Sequence, residues 1–133
     1  MSQENPRILV VDDDPFVREI LEFVLQAADY LVETAEGGAE ALNKCLADPG
    51  IDLIVSDMNM PGMSGLDLTM ELRRNNVDIP IIVLTGDSEI PAALKAMESG
   101  ANDYLVKDED IQDMILMALE KALEEYWSKK AAG

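Results

Sequence analysis

The sequence predicts an α/β protein built on a doubly wound, five-stranded parallel sheet. Three observations carry that expectation. Short apolar runs rich in β-branched residues alternate with longer stretches of helical period, and the alternation repeats through the chain as strand then helix. The strongest runs are apolar on both faces, as strands buried between two helix layers are. In chain order, Ile8-Leu9-Val10-Val11 reads as the first strand. Val17, Ile20, Leu21, Val24, Leu25 and Ala28 then recur at i, i+3, i+4, i+7, i+8 and i+11, the stripe of an amphipathic helix. A weaker strand over Tyr30 to Thr34 precedes a short helix over Ala39 to Leu46. Ile51-Asp52-Leu53-Ile54-Val55 reads as the third strand, and Leu66 to Leu72 as the third helix, with Ser64 a ready N-cap. Ile79-Pro80-Ile81-Ile82-Val83-Leu84 is the fourth strand. The helix after it runs from about Glu89 to Ser99 and stops at Gly100. Tyr104-Leu105-Val106 is the last strand. The longest helix follows, with Ile111, Met114, Ile115, Ala118, Ala122, Leu123 and Tyr126 on one side. Right-handed crossovers between parallel strands place these helices on both faces of the sheet.

Composition narrows the chemistry. The 133 residues suit one domain, and 48 % hydrophobic residues supply a core. Asp and Glu number 27 against 10 Lys and Arg, a formal net charge of −17. That balance argues against binding nucleic acid or an anionic membrane directly, since both would be repelled. Histidine is absent, which excludes Ser-His-Asp and Cys-His triads, His-ligated zinc, and phosphotransfer from a histidine of this chain. The lone Cys45 excludes an internal disulfide and fits a reducing compartment. With no apolar run near the ~20 residues of a membrane span, the expected location is the cytoplasm.

In such a sheet, ligands bind beyond the carboxyl ends of the strands, near the point where strand order reverses. The first strand ends in Asp12-Asp13-Asp14, the third in Ser56-Asp57, the fourth in Thr85-Gly86-Asp87, and the fifth in Lys107. Asp14 before Pro15 is a helix N-cap. The other two carboxylates at that strand end repel each other unless a cation joins them. Without His or an available Cys, the cation expected is Mg²⁺ rather than Zn²⁺. Asp57 adds a third carboxylate across the cleft, able to complete a metal site or to act as a nucleophile. Taken singly, Thr85 reads as strand propensity and Lys107 as a surface charge; their places at strand ends give them weight as a hydroxyl donor and a counter-charge. Gly86 leaves room for a group on Asp57. Met58, Met60 and Met63 read as loop packing.

The segments ILVVDDD (8–14), DLIVSDMNMPGMSGLDL (52–68), IIVLTG (81–86) and GANDYLVKD (100–108) closely resemble the receiver domain of two-component response regulators. The resemblance spans about residues 7–124, within one domain of residues 1–133 whose last helix extends to about 130. It implies a flavodoxin-like (βα)5 fold. It also implies that Asp57 accepts a phosphoryl group from a histidine kinase or histidine phosphotransfer protein. Asp12, Asp13, Asp57 and the backbone carbonyl of Asn59 would hold Mg²⁺, while Thr85 and Lys107 bind the phosphoryl oxygens. Tyr104 would be an aromatic switch, filling space that Thr85 vacates and repacking the fourth helix, fifth strand and fifth helix. An output domain or downstream protein would read that face, and self-association into a homodimer stays open. Asn59 and Asp87 would tune the phosphoryl lifetime, toward the short end for the family. The chain would catalyse only its own phosphotransfer and autodephosphorylation, so it would not be an enzyme in the usual sense.

One departure stands out. Many receivers have Pro after the site Lys, with a cis peptide between them; here Asp108 follows Lys107. A cis bond before a non-proline residue costs roughly 2.5–4 kcal/mol, so a trans bond is expected, with Lys107 still reaching Asp57. Two other readings compete. A phosphohydrolase would use a nucleophile among Asp12 to Asp14, and normally needs a longer chain with a substrate cap. A phosphorylation-independent interaction module would share the fold, but retention of the whole acidic set argues against it. Whether the receiver stands alone or was cut from a longer regulator is open at this point.

Overall fold

The computed structural model describes residues 5–132, apart from the side chain of Asp87. Five strands, β1 (Arg7–Val11), β2 (Leu31–Ala35), β3 (Leu53–Asp57), β4 (Ile81–Thr85) and β5 (Asp103–Val106), alternate with five helices. The helices are α1 (Pro15–Ala27), α2 (Gly38–Ala47), α3 (Gly65–Arg74), α4 (Ile90–Glu98) and α5 (Ile111–Ala132). All strand pairs are parallel, in the order β2-β1-β3-β4-β5. The order reverses between β1 and β3, so the crevice of a doubly wound sheet opens at the carboxyl ends of those two strands.

Side-chain alternation along the strands sorts the core into two layers. Leu9, Val11, Ile54, Ile81 and Val83 face α2, α3 and α4, where they meet Ala41, Leu68, Leu72, Ala93 and Ala96. Ile8, Val10, Leu53, Val55, Ile82, Leu84 and Leu105 face Leu21 and Leu25 of α1 and Ile115, Leu119 and Leu123 of α5. Strands buried on both faces explain the unbroken apolar runs of β3 and β4.

The expected elements are all present, with shifts that have physical causes. β3 starts two residues later than the apolar run suggests and continues through Ser56 and Asp57, because the ladder persists: Ser56 is in register with Val83 and Asp57 with Leu84. Asp57 is thus the last residue of the strand, as the sequence indicates. β4 likewise begins after Ile79-Pro80, since proline has no N–H for the ladder. A short 3₁₀ turn over Asp87–Glu89 precedes α4, closed by the Glu89 carboxylate accepting from the Gly86 N–H at 2.9 Å. On α5 the buried stripe includes Leu119, while Met114 is 45 % exposed. On α1, Ala28 is exposed, and the fully buried positions are Leu21 and Leu25.

Helix ends follow local rules. Asp14 caps α1, its carboxylate accepting from the Phe16 N–H at 2.9 Å, and Ser64 caps α3 in a reciprocal capping box with Asp67. Helices α1, α3 and α4 all end in a Schellman arrangement. The N–H groups of Tyr30, Val77 and Ala101 donate back to Leu25, Leu72 and Ala96 across left-handed residues Asp29, Asn76 and Gly100. Gly100, at φ +120, is doubly required, because a Cβ there would sit 2.8 Å from Cγ of Arg73.

Arg73 fastens the base of the sheet. Its Nε and Nη2 donate to the Gly100 carbonyl at 3.1 and 2.7 Å, and Nη1 donates to the carbonyls of Val77 and Ile79 at 2.7 and 2.9 Å. Nη2 also reaches Oδ1 of Asn102 at 3.1 Å. One side chain thereby ties the end of α3 to the entry of β4 and to the α4–β5 turn. Removing it leaves several half-buried carbonyls short of a donor. Arg73→Ala is therefore expected to cost about 3 kcal/mol or more in urea denaturation. Arg73→Lys should recover only part, because one ammonium cannot reproduce the guanidinium fork; full recovery would show that charge alone suffices.

The last turns of α5 are latched to the α3–β4 loop. Tyr126 Oη donates to Asp78 Oδ1 at 2.8 Å, and Lys130 Nζ lies 2.9 Å from Asp78 Oδ2. The hydrogen bonds from Lys130 and then Tyr126 hold the Asp78 carboxyl below its ordinary 3.8. A depressed carboxyl contributes stability above its unfolded value and loses it as pH falls through the folded one. Carboxyl NMR should therefore find Asp78 titrating below pH 3.8, with latch stability lost only at more acidic pH. In Tyr126→Phe combined with Lys130→Gln the value should return toward the ordinary one. An unmoved titration in that double variant would remove the latch as its cause.

Candidate functional site

Strands β1, β3 and β5 deliver polar residues to the same rim. Asp12 follows β1 and is 1 % exposed, while Asp57 ends β3 at 5 % exposed. Asp13 is exposed at the mouth. One carboxylate oxygen from each of Asp12, Asp13 and Asp57 lies within 4.8 Å of the others. Lys107, just past β5, places Nζ 2.7 Å from Asp57 Oδ1 and 3.2 Å from Asp12 Oδ2. It does so with a trans Lys107–Asp108 bond, since the described residues contain no cis peptide. The ammonium reaches the carboxylates by side-chain length alone, as expected.

The electrostatics are those of a crowded anion site with one internal counter-charge. Burial pushes the Asp57 carboxyl above its ordinary range, the Lys107 hydrogen bond opposes that, and the Asp12 charge adds to it. For Lys107, burial works against the ammonium, yet the hydrogen bond and charge of Asp57 and the charge of Asp12 outweigh it and hold its pKa raised. One ammonium cannot balance three carboxylates. A hard divalent cation with oxygen ligands fits the remaining deficit.

The backbone around Asp57 is set by two close approaches. The Met58 N–H donates to the Leu84 carbonyl at 2.8 Å, and the Gly65 N–H to the Met58 carbonyl at 2.9 Å. A Cβ at Gly65 would fall 2.7 Å from the Asp57 carbonyl, so only glycine lets α3 start this close to the site. The amide of Met58 is therefore spent in the sheet. Met58 and Met60 are buried in the core layer of α2 to α4 and Met63 packs against it, which accounts for the methionines as loop packing.

Of the remaining sequence candidates, Thr85 is fully buried at the end of β4. Its hydroxyl donates to the Gly86 carbonyl at 3.0 Å, and its own carbonyl accepts from the Lys107 N–H at 2.8 Å. Tyr104 is half-buried in β5 on the α4 side of the sheet. Asn59 is exposed in the segment that follows Asp57. The side chain of Asp87 lies outside the described residues. Sequence reading missed Arg18, whose Nη1 donates to the Asp12 carbonyl at 2.7 Å. An arginine on a helix face carries no pattern that distinguishes a carbonyl partner from solvent.

The sequence pattern of response regulator receiver domains matches residues 8–119. The chain belongs to the response regulator receiver domain family. Such domains are signalling domains of two-component systems, and this receiver is similar to those of larger regulators. It is 39 % identical over 119 residues to the DNA-binding transcriptional regulator NtrC of Escherichia coli (strain K12), covering 90 % of this chain and 25 % of that protein. It is 37 % identical over 125 residues to the transcriptional regulatory protein GlrR of the same organism, covering 94 % and 28 %. The chain thus spans about a quarter of the length of the curated relatives it matches. Among solved structures, a response regulator receiver domain protein from Clostridium thermocellum superposes with a TM-score of 0.86 at 31 % identity, covering 96 % of this chain and 99 % of that one. The response regulator protein TrrA from Thermotoga maritima, in complex with Mg²⁺-BeF, gives 0.79 at 39 % identity, covering 88 % and 98 %.

The raised Asp57 carboxyl has a measurable consequence. A group raised on folding contributes stability below its unfolded value and loses it as pH rises through the folded one, so the ionised Asp57 destabilises the fold at neutral pH. Asp57→Asn keeps the shape and removes the charge, while Lys107 retains Asp12. Without divalent cations, its thermal midpoint at pH 7 should lie above wild type, and the gap should close toward acid pH. A lower midpoint at pH 7 would show that the Lys107 pair outweighs the burial.

Proposed function

We propose that this receiver accepts a phosphoryl group on Asp57 from a phosphohistidine of a partner kinase or histidine phosphotransfer protein, in a reaction that needs Mg²⁺. The observation that carries the reading is the placement of Lys107 Nζ within hydrogen-bond reach of Asp57 and Asp12, in a cluster that also contains Asp13. Asp12, Asp13 and Asp57, with the backbone carbonyl of Asn59, are the residues that would hold the ion. When bound, the ion neutralises charge on the phosphoryl oxygens.

Phosphoryl transfer asks the protein chiefly for positioning and charge control. The carboxylate of Asp57 is the nucleophile, fixed at the end of a strand whose ladder runs through it. Lys107 holds that carboxylate in its ground state and meets a phosphoryl oxygen once the group is attached. Thr85 donates to the Gly86 carbonyl when no phosphoryl group is present and exchanges that acceptor for a phosphoryl oxygen. The space it leaves lies beside β5, where Tyr104 turns inward, and the surface of α4, β5 and α5 changes as a two-state shift. An output domain or downstream protein reads that surface, which carries exposed Leu94, Met114 and Met117 amid carboxylates. Asn59 and Asp87 orient water for hydrolysis and shorten the lifetime. The chain acts as one receiver domain in the cytoplasm, without direct contact to nucleic acid or membrane; no described helix is long and apolar enough to cross a membrane.

Incubation with acetyl phosphate and Mg²⁺ should add one phosphoryl group, read as intact mass. Asp57→Asn should remain unlabelled and EDTA should abolish labelling. Labelling that survives either would overturn the assignment. In Asn59→Ala and Asp87→Ala the label should decay more slowly than in wild type.

A further inference from the structure

We infer that Arg18 is a positioning residue for the acidic turn after β1: by holding the Asp12 carbonyl, its guanidinium sets Asp13 where both carboxylates can share one divalent cation with Asp57. The inference rests on the metal reading of the same site. Every polar group of Asp12 has an assigned partner. Its N–H donates to the Ala35 carbonyl at 3.2 Å. Its Oδ1 accepts from the Asp14 N–H at 2.9 Å and its Oδ2 from Lys107 at 3.2 Å. Its carbonyl accepts from Arg18 Nη1 at 2.7 Å. That carbonyl belongs to the Asp12–Asp13 peptide plane, so fixing it also fixes the direction in which Asp13 leaves the turn. Asp13 itself is exposed, and Asp14 beyond it is committed to capping α1.

The choice of partner matters. Among the described residues Arg18 makes no ion pair with Asp12, Asp13 or Asp57. Its charge is directed at a neutral carbonyl, which strengthens that hydrogen bond without occupying a carboxylate oxygen. Arg18 is anchored for this role one turn into α1, where its own N–H donates to the Asp14 carbonyl at 3.1 Å.

The two ways Arg18 could influence a cation have opposite signs. As a nearby positive charge alone it repels the ion, so removing it would tighten binding. As a positioning residue it prepares the ligands, and removing it weakens binding. Titration calorimetry of Mg²⁺ at fixed ionic strength should show affinity reduced roughly tenfold in Arg18→Met, the lower end of what losing a hydrogen bond behind a metal ligand does. Arg18→Lys should recover part of it. With acetyl phosphate, the half-saturating Mg²⁺ concentration should rise in Arg18→Met while the rate at saturating Mg²⁺ stays near wild type. Unchanged or tighter Mg²⁺ binding in Arg18→Met overturns the inference, and Arg18→Gln serves the same comparison if the methionine variant does not fold. A second readout is independent of metal: in the ion-free protein, the Asp13 amide resonance should move in Arg18→Met while those of Val10 and Val11 stay. A wild type that binds no Mg²⁺ but shows this shift would sink the metal reading and leave the positioning role standing; an unmoved Asp13 resonance sinks the positioning role itself.

Discussion

The contact between Lys107 and the paired carboxylates of Asp57 and Asp12 is the constraint around which the rim of this domain is arranged. Parallel strands that end at one edge bring Asp12, Asp57 and Lys107 together from β1, β3 and β5, residues remote in sequence. Two carboxylates this deeply buried need compensation, and a single ammonium supplies only part of it. The fold therefore holds a site that is stable enough to form and still short of positive charge. That shortfall is what makes it receptive to a hard cation.

Supporting interactions lie outside the rim. Glycine at position 65 allows α3 to start against the backbone of Asp57 and Met58, and the ladder bond from Met58 to Leu84 keeps the Asp57 backbone in the sheet. At the opposite end, Arg73 and the Asp78 latch bind the helices to the strand entries. A second fastening involves Arg7, whose guanidinium pairs with Glu33 and Asp48, joining β1 and β2 to the end of α2. The base is thus closed by side chains that reach across elements, whereas the top depends on a few charges around one lysine.

Much of this was legible in the sequence, for identifiable reasons. Strands buried on both faces advertise themselves as apolar runs, and Asp14-Pro15 and Ser64 announce the helices they start. The acidic triplet, Asp57, Thr85 and Lys107 declared themselves by standing where strands end. Boundaries were less legible where polarity and hydrogen bonding disagree: Asp57 is charged yet paired in register with Leu84, so the strand outlasts its apolar run. Asp29 and Asn76 end helices as Gly100 does, but only glycine gave a strong signal. Arg18 and Arg73 were invisible for a deeper reason. Their acceptors are mostly main-chain carbonyls, which every residue possesses, so the partner leaves no trace in the order of side chains.

The charge balance also shapes how the molecule meets others. The chain has only 10 basic residues against 27 acidic ones. Arg18 and Arg73 direct their charge to main-chain groups of the fold, and Lys107 faces inward to the rim. A cation turned toward a neutral carbonyl keeps its charge, so the long-range field follows the formal net charge of −17 and is negative. Encounters between two copies are opposed at low ionic strength, while cationic surfaces are drawn in. Both effects fade as the Debye length shortens to about 8 Å at physiological salt. The net charge thus makes ionic strength a control on how often this domain meets surfaces of either sign, quite apart from what any one contact is worth.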